Sequence, residues 1–287
     1  GLVVAGGNMQ VALTAVNARL THLTGRILSR SGTGSITLAA DDMEFNSGAN
    51  TLVGTGDLFL RANSEEFQYT FGTAAEDFNG LDEFAPAYVG STIPHNNSLD
   101  LDTTDLAALQ DGFAEIHFSR FQGNGDQVVN TFYLGYSQFR DDVEFIADSI
   151  IVRGEVEAVI DQVSTIGNDL HFSANTMFIE AVHEHEFEPP LNSGLAGRNI
   201  TIVADDRFEN MGHLRASRSI DIASGSGLFE ESAFLSGTIE AGLWRTDWQG
   251  SSFVESILPA ASIDIRSLDD LTLFGVVEVY GENSTIN

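Results

Sequence analysis

The chain has 287 residues, 13 Lys+Arg against 42 Asp+Glu, a formal charge of −29 and no cysteine. A hydrophobic fraction of 43% is enough for a sizeable core and argues against wholesale disorder. The charge argues against nucleic acid and anionic membrane surfaces, which need a basic face, and the lack of Cys excludes thiol catalysis and Cys-ligated metals. No apolar run approaches the ~20 residues that span a bilayer, so no membrane insertion is expected. The chain opens Gly1-Leu2-Val3-Val4 with neither Met nor a basic segment, and closes on Gly281-Glu282-Asn283-Ser284-Thr285-Ile286-Asn287 without a cap. This reads as a section processed or cut from something longer.

Short segments alternate apolar and polar residues between Gly, Asn, Asp or Ser, which is the period of half-buried strands. In chain order the clearest are 35–39, 57–60, 115–118, 142–146, 169–172, 199–203, 219–222 and 262–265. They also resemble one another. The core reads Ser/Asn-Ile-Thr/Asp-Leu/Ile, and an acidic or Ser-rich turn follows. Ile36 to Leu58 is 22 residues, Ile200 to Ile220 is 20, and Ile220 to Ile263 is 43, which reads as two steps of about 21. A repeat of that size is one coil of a parallel β-solenoid. Within each coil a second strand follows an acidic turn: after Ile36 comes Asp42-Met43-Glu44-Phe45, and after Ile200 comes Asp206-Arg207-Phe208-Glu209. Glycines such as Gly48, Gly212 and Gly275 then stand where a corner requires positive φ.

The expected fold is therefore all-β: one solenoid domain over 1–287 with about 21 residues per coil, stacked 4.8 Å apart. Residues 62–113 depart from the rhythm, with aromatics among acidic residues and two prolines, and read as an excursion. Inside it 104–111 is predicted helical, capped by Thr103 or Thr104 and ended by Gly112. The stretch His183-Glu184-His185-Glu186-Phe187-Glu188-Pro189-Pro190 reads as a second loop.

The coil motif resembles the right-handed β-helix of filamentous-haemagglutinin-type secreted adhesins. Gly34-Ser35-Ile36-Thr37-Leu38-Ala39-Ala40, Gly197-Arg198-Asn199-Ile200-Thr201-Ile202 and Ser219-Ile220-Asp221-Ile222-Ala223 carry that resemblance. Thr55–Leu60 and Asp105–Ile116 are similar to an element recurring in very large, multi-repeat bacterial surface proteins of haemagglutinin-like type. The resemblance implies a right-handed β-helix in a secreted, extracellular cell-surface or filament protein with a structural or adhesive role and no catalytic residues. The partners it implies are further copies or more of the same chain. It departs from such adhesins in lacking their N-terminal secretion-signal domain.

The residues offer few constellations for chemistry. Paired carboxylates stand at Asp41-Asp42, Asp141-Asp142, Asp205-Asp206 and Asp269-Asp270. The last three pairs are 64 residues apart, three coils each, which predicts a shared corner at intervals of roughly 14 Å. Such turn carboxylates cap local backbone N–H groups; with carbonyls they also offer Ca²⁺ a site, though the fold requires no cofactor. The spacing is too wide for the ~5–9.5 Å of a glycosidase pair. His183, His185 and Glu188 read as a solvated loop, with Zn²⁺ binding as the alternative. Trp244 and Trp248 read as a plug or chain contact, or as a platform for surface glycans. No Gly-x-Ser-x-Gly elbow or phosphate loop occurs. A non-enzymatic scaffold is the reading, with a polysaccharide lyase or hydrolase, or a Ca²⁺-stabilised glycan-binding module, as alternatives.

Overall fold

A computed structural model describes residues 2–13, 15, 18–29, 33–62, 68–71, 98–109, 111–122, 125–127, 129–158, 167–180, 194–225, 231–249, 252–258, 260–268 and 270–287. The chain is nearly all β, its ladders are mostly parallel, and it divides into two compact units. No helix among the described residues is long and apolar enough to cross a membrane.

The first unit comprises residues 1–137 and 145–149. It opens with β1 (Leu2–Ala5), β2 (Met9–Ala12), β3 (Arg19–Thr21), β4 (Arg26–Ser29), β5 (Ile36–Ala39) and β6 (Asp42–Glu44). Then come β7 (Leu52–Val53), β8 (Leu58–Ala62), β9 (Gln68–Phe71), β10 (Ser98–Leu101) and the helix α1 (Thr103–Ala107). The unit continues with β11 (Ile116–Gln122), β12 (Gly125–Gln127) and β13 (Val129–Leu134). Its ladders stack like on like. Met9, Ile36, Leu58 and Ile116 form one row, Val3, Ile27 and Leu52 a second, and Leu20 pairs Met43 in a third. The alternation that buries Ile36, Leu38, Leu58 and Leu60 turns Thr37 and Phe59 to the other side. Below β13 the interior is aromatic. Phe71 meets Phe118, Phe132 and Phe145 edge-on, with centroids 4.8, 5.6 and 5.5 Å away, and Phe118 stacks on Phe145 at 5.0 Å.

The row Leu58–Ile116 joins residues 58 apart, so the break in rhythm after residue 62 is an insertion within one coil step. Its return segment is anchored to the sheet. β10 pairs in parallel with β9, and Leu109 bridges to Leu52. The helix is shorter than the expected 104–111. Asp102 caps it and Ala108 ends it, because the Ala107 and Ala108 carbonyls accept from Asn50, Thr51 and Leu52 N–H groups instead of continuing the helix.

The second unit comprises residues 138–144 and 150–287. β14 (Ser137–Gln138) and β15 (Val143–Val152) contribute to both units. There follow β16 (Glu155–Glu157), β17 (Leu170–Ile179), β18 (Gly194–Asn210), β19 (His213–Ser224), β20 (Glu231–Leu235) and β21 (Thr238–Ala241). The last strands are β22 (Leu243–Gln249), β23 (Ser252–Ile257), β24 (Ser262–Ser267), β25 (Asp270–Leu273), β26 (Val276–Val279) and β27 (Thr285–Ile286). Three parallel rows run through it. They are Leu170–Ile200–Ile220–Ile263–Ile286, Val156–Leu195–Leu214–Ile239–Val277 and Met177–Phe208–Ala233–Leu271. Burying one such Ile or Leu contributes about 2 kcal/mol before entropy.

Two expectations are corrected by these registers. Ile220 pairs directly with Ile263, so the 43 residues between them are one step and not two; the surplus is spent on the antiparallel hairpin β22–β23. The corner glycines divide into two kinds. Gly48 does adopt positive φ, at 92°. Gly212 and Gly275 do not. With Gly237 they are stacked in successive coils, where a Cβ on Gly275 would collide with the Gly237 carbonyl and one on Gly237 with the Gly212 carbonyl.

Candidate functional site

The corner preceding the Leu170 row carries a polar network that runs from coil to coil. The Asp142 carboxylate accepts from the Asp169 N–H at 2.8 Å, and the Asp169 carboxylate accepts from the Asn199 N–H at 3.2 Å and its Nδ2 at 2.9 Å. Ser219 Oγ then donates to Asn199 Oδ1 at 2.6 Å. The first two steps cap the next coil's backbone, and the third joins two side chains. Arg198 spans two steps, its Nε 2.6 Å from Asp169 and its Nη2 3.3 Å from Asp142. Local sequence explains the ladder. A short Asp, Asn or Ser directly ahead of an Ile/Leu-led strand reaches a neighbouring N–H.

The paired carboxylates do not share one corner. Asp141 and Asp142 precede a Leu170-type strand, with Asp141 buried and Asp142 in the ladder just described. Asp205 and Asp206 lie further along the strand than Ile200, where the register jumps from Ala174–Ala204 to Thr176–Arg207; the two stand opposite the single Asn175 in a β-bulge. Asp270 begins β25 opposite Glu231, and Asp269 lies outside the described residues. In the first unit Asp41 is buried and its N–H donates to the Ala18 carbonyl, while Asp42 pairs with Arg19 Nε at 3.0 Å. No group of three or more His, Asp or Glu able to hold a metal ion occurs among the described residues. The outer like-charge pair Asp221–Asp264 is bridged by Arg266, whose guanidinium is held further above its ordinary range by the Asp221 hydrogen bond and by both carboxylates.

Trp244 and Trp248 both fall on β22. Trp244 pairs Ser256 and Trp248 pairs Phe253, with a register shift between Thr246 and Trp248. His183, His185 and Glu188 lie outside the described residues.

One group was passed over in the sequence because it looks like an ordinary first-turn acid. Asp105 of α1 completes a capping box: its N–H donates to Asp102 Oδ1 at 2.9 Å, and its own Oδ2 accepts from the Asp102 N–H at 3.1 Å. Its other oxygen accepts from the N–H of Phe45 at 2.6 Å, tying the inserted segment to the residue just after β6, sixty positions earlier. Burial is the main reason its pKa is raised to about 6, with the Asp102 and Glu44 charges adding to it and the two backbone N–H groups opposing it. A capping-box pattern of an acid three residues after another could have located the cap, but nothing local points to Phe45.

The residues thus assemble interlocking caps between coils. In comparisons with known proteins, no family model, no curated protein and no solved structure matches the chain. The class that fold and site define is an all-β protein built on a solenoid-like parallel sheet.

Proposed function

We propose that this chain is a structural or adhesive section of a secreted bacterial cell-surface or filament-forming protein, built as a right-handed parallel β-helix with about 21 residues per regular coil. The observation that carries the reading is the row Leu170–Ile200–Ile220–Ile263–Ile286, in which each coil stacks its apolar residue on the like residue of the next and the first four are buried. The shorter steps, 22 residues from Ile36 to Leu58 and 20 from Ile200 to Ile220, favour that coil size, and the longer ones carry insertions. Its polar residues support the same role, since the Asp142–Asp169–Asn199–Ser219 ladder joins coil to coil. A solenoid extends by adding coils, which suits a protein that must present surface at a distance from its anchor. Protease treatment of intact producing cells tests the location. Release of the chain without lysis is expected; recovery solely from the cytosolic fraction would overturn the reading.

A further inference from the structure

The returning end of the insertion is seated on one corner of the first unit, between β6 and β7. The Ala107 and Ala108 carbonyls at the end of α1 accept from the N–H groups of Asn50, Thr51 and Leu52, at 3.0, 2.8 and 2.9 Å. Leu106, Ala108 and Leu109 are buried in the joint. These contacts are all between uncharged groups. Asp105 adds an ionisable one. It is 7% exposed, and its carboxylate accepts from the Phe45 N–H at 2.6 Å with one oxygen and from the Asp102 N–H at 3.1 Å with the other. Phe45 is itself fully buried and stands where the chain leaves β6. A single carboxyl therefore bonds both halves of the joint, the cap of α1 and the corner on which α1 sits.

The surroundings make the charge on that carboxyl costly. Asp102 from the cap and Glu44 from β6 act on it, and both are negative. Arg19 of the neighbouring β3 is paired with Asp42 and with Glu44. His22, just after β3, lies 2.9 Å from Ser47 Oγ, and burial holds its pKa below the ordinary range, so it is uncharged at and above neutral pH. Burial of Asp105, with the two carboxylates adding to it, raises its pKa to about 6 against the pull of the Phe45 and Asp102 N–H groups.

We infer that Asp105 is a proton-operated latch: protonated, it keeps the returning end of the insertion seated on the β6–β7 corner, and ionised, it lets that end open while the coils stay folded. Opening returns the carboxylate to water, where its charge is no longer penalised. The closed form holds the proton more tightly than the open one, so closure is favoured at low pH and weakened as pH rises through about 6. With 3.8 for the opened group, the open fraction should rise about tenfold from about pH 5 to about pH 8. The latch is independent of where the chain resides.

Hydrogen–deuterium exchange of the whole chain, read by mass spectrometry with the intrinsic rate at each pH divided out, tests it. Peptides covering 45–52 and 98–109 should lose about tenfold in protection between those two pH values, whereas peptides covering 199–222 should not. Asp105→Asn keeps an acceptor for the Phe45 N–H but cannot ionise, so its corner should be equally protected at both. Unchanged protection in the parent overturns the inference, and so does an Asn variant whose corner opens with pH as the parent's does. An equal loss across 199–222 also overturns it, because that marks unfolding of the whole chain. Should Asp105→Asn lose its β-sheet circular dichroism, Glu44→Gln serves instead. It removes one of the two neighbouring charges and should move the upper end of the transition to lower pH; an unmoved transition counts against the latch.

Discussion

The two units stack coils by the same rule and fill them differently. In the second, aliphatic residues recur at each step, and a polar ladder from Asp142 to Ser219 locks the corner outside them. In the first, the row from Leu58 to Ile116 must step over an insertion, and the interior beside it is filled by Phe71 and Phe132 meeting their neighbours edge to face and by Phe118 stacked on Phe145. Regular coils can be closed by small repeated contacts. The interrupted coil of the first unit is filled by large side chains and has a specific tie, Asp105 to Phe45, that returns the inserted chain to the sheet.

The aromatic filling of the first unit gives the largest expected effect. Phe118→Ala removes a ring stacked on Phe145 and should cost about 4 kcal/mol, read as a lowered midpoint in urea. A loss under about 1 kcal/mol would mean that the cluster is not what holds this unit. In the second unit, Gly237→Ala places a Cβ against the Gly212 carbonyl and should cost about 2 kcal/mol by thermal unfolding. The same change at Gly6, which has open space around it, serves as the control and should be nearly silent.

Asp105→Ala leaves the buried Phe45 N–H without its acceptor and should cost about 1–2 kcal/mol. Its pH dependence has a definite sign. The folded-state pKa is raised to about 6 from 3.8, so the native state holds the proton more tightly than the unfolded one. The stability this confers is fully present below pH 3.8 and is lost as pH rises through about 6. Asp105→Asn should flatten that part of the stability–pH curve, and an unchanged curve would remove Asp105 as its source. Arg198→Ala gives the smallest effect. The pair is half-exposed, so breaking it should cost about 1 kcal/mol or less, and the loss should shrink at high salt.

Much of the β pattern was legible in the residues. Ser35–Leu38, Asn199–Ile202 and Ser219–Ile222 alternate strictly, and alternation with one apolar face is a local property that reads as strand without knowledge of the partner. Asp142 and Asp169 could likewise be read as turn caps from their place ahead of Val143 and Leu170. The bulge at Asp205-Asp206 was not legible, since it exists only relative to the opposing strand. Nor was the tie between Asp105 and Phe45, nor the stacked glycines at 237 and 275, whose requirement comes from a carbonyl in the neighbouring coil.

Order along the chain, the apolar faces and the acidic exterior follow from composition and period alone, because they depend on each residue and its near neighbours. Which coil lies on which was set by packing in three dimensions: Ile220 meets Ile263 across 43 residues because the hairpin between them folds aside, and no count of residues distinguishes one long step from two short ones. Burial and ladder hydrogen bonding choose between those registers, and both are properties of the assembled sheet.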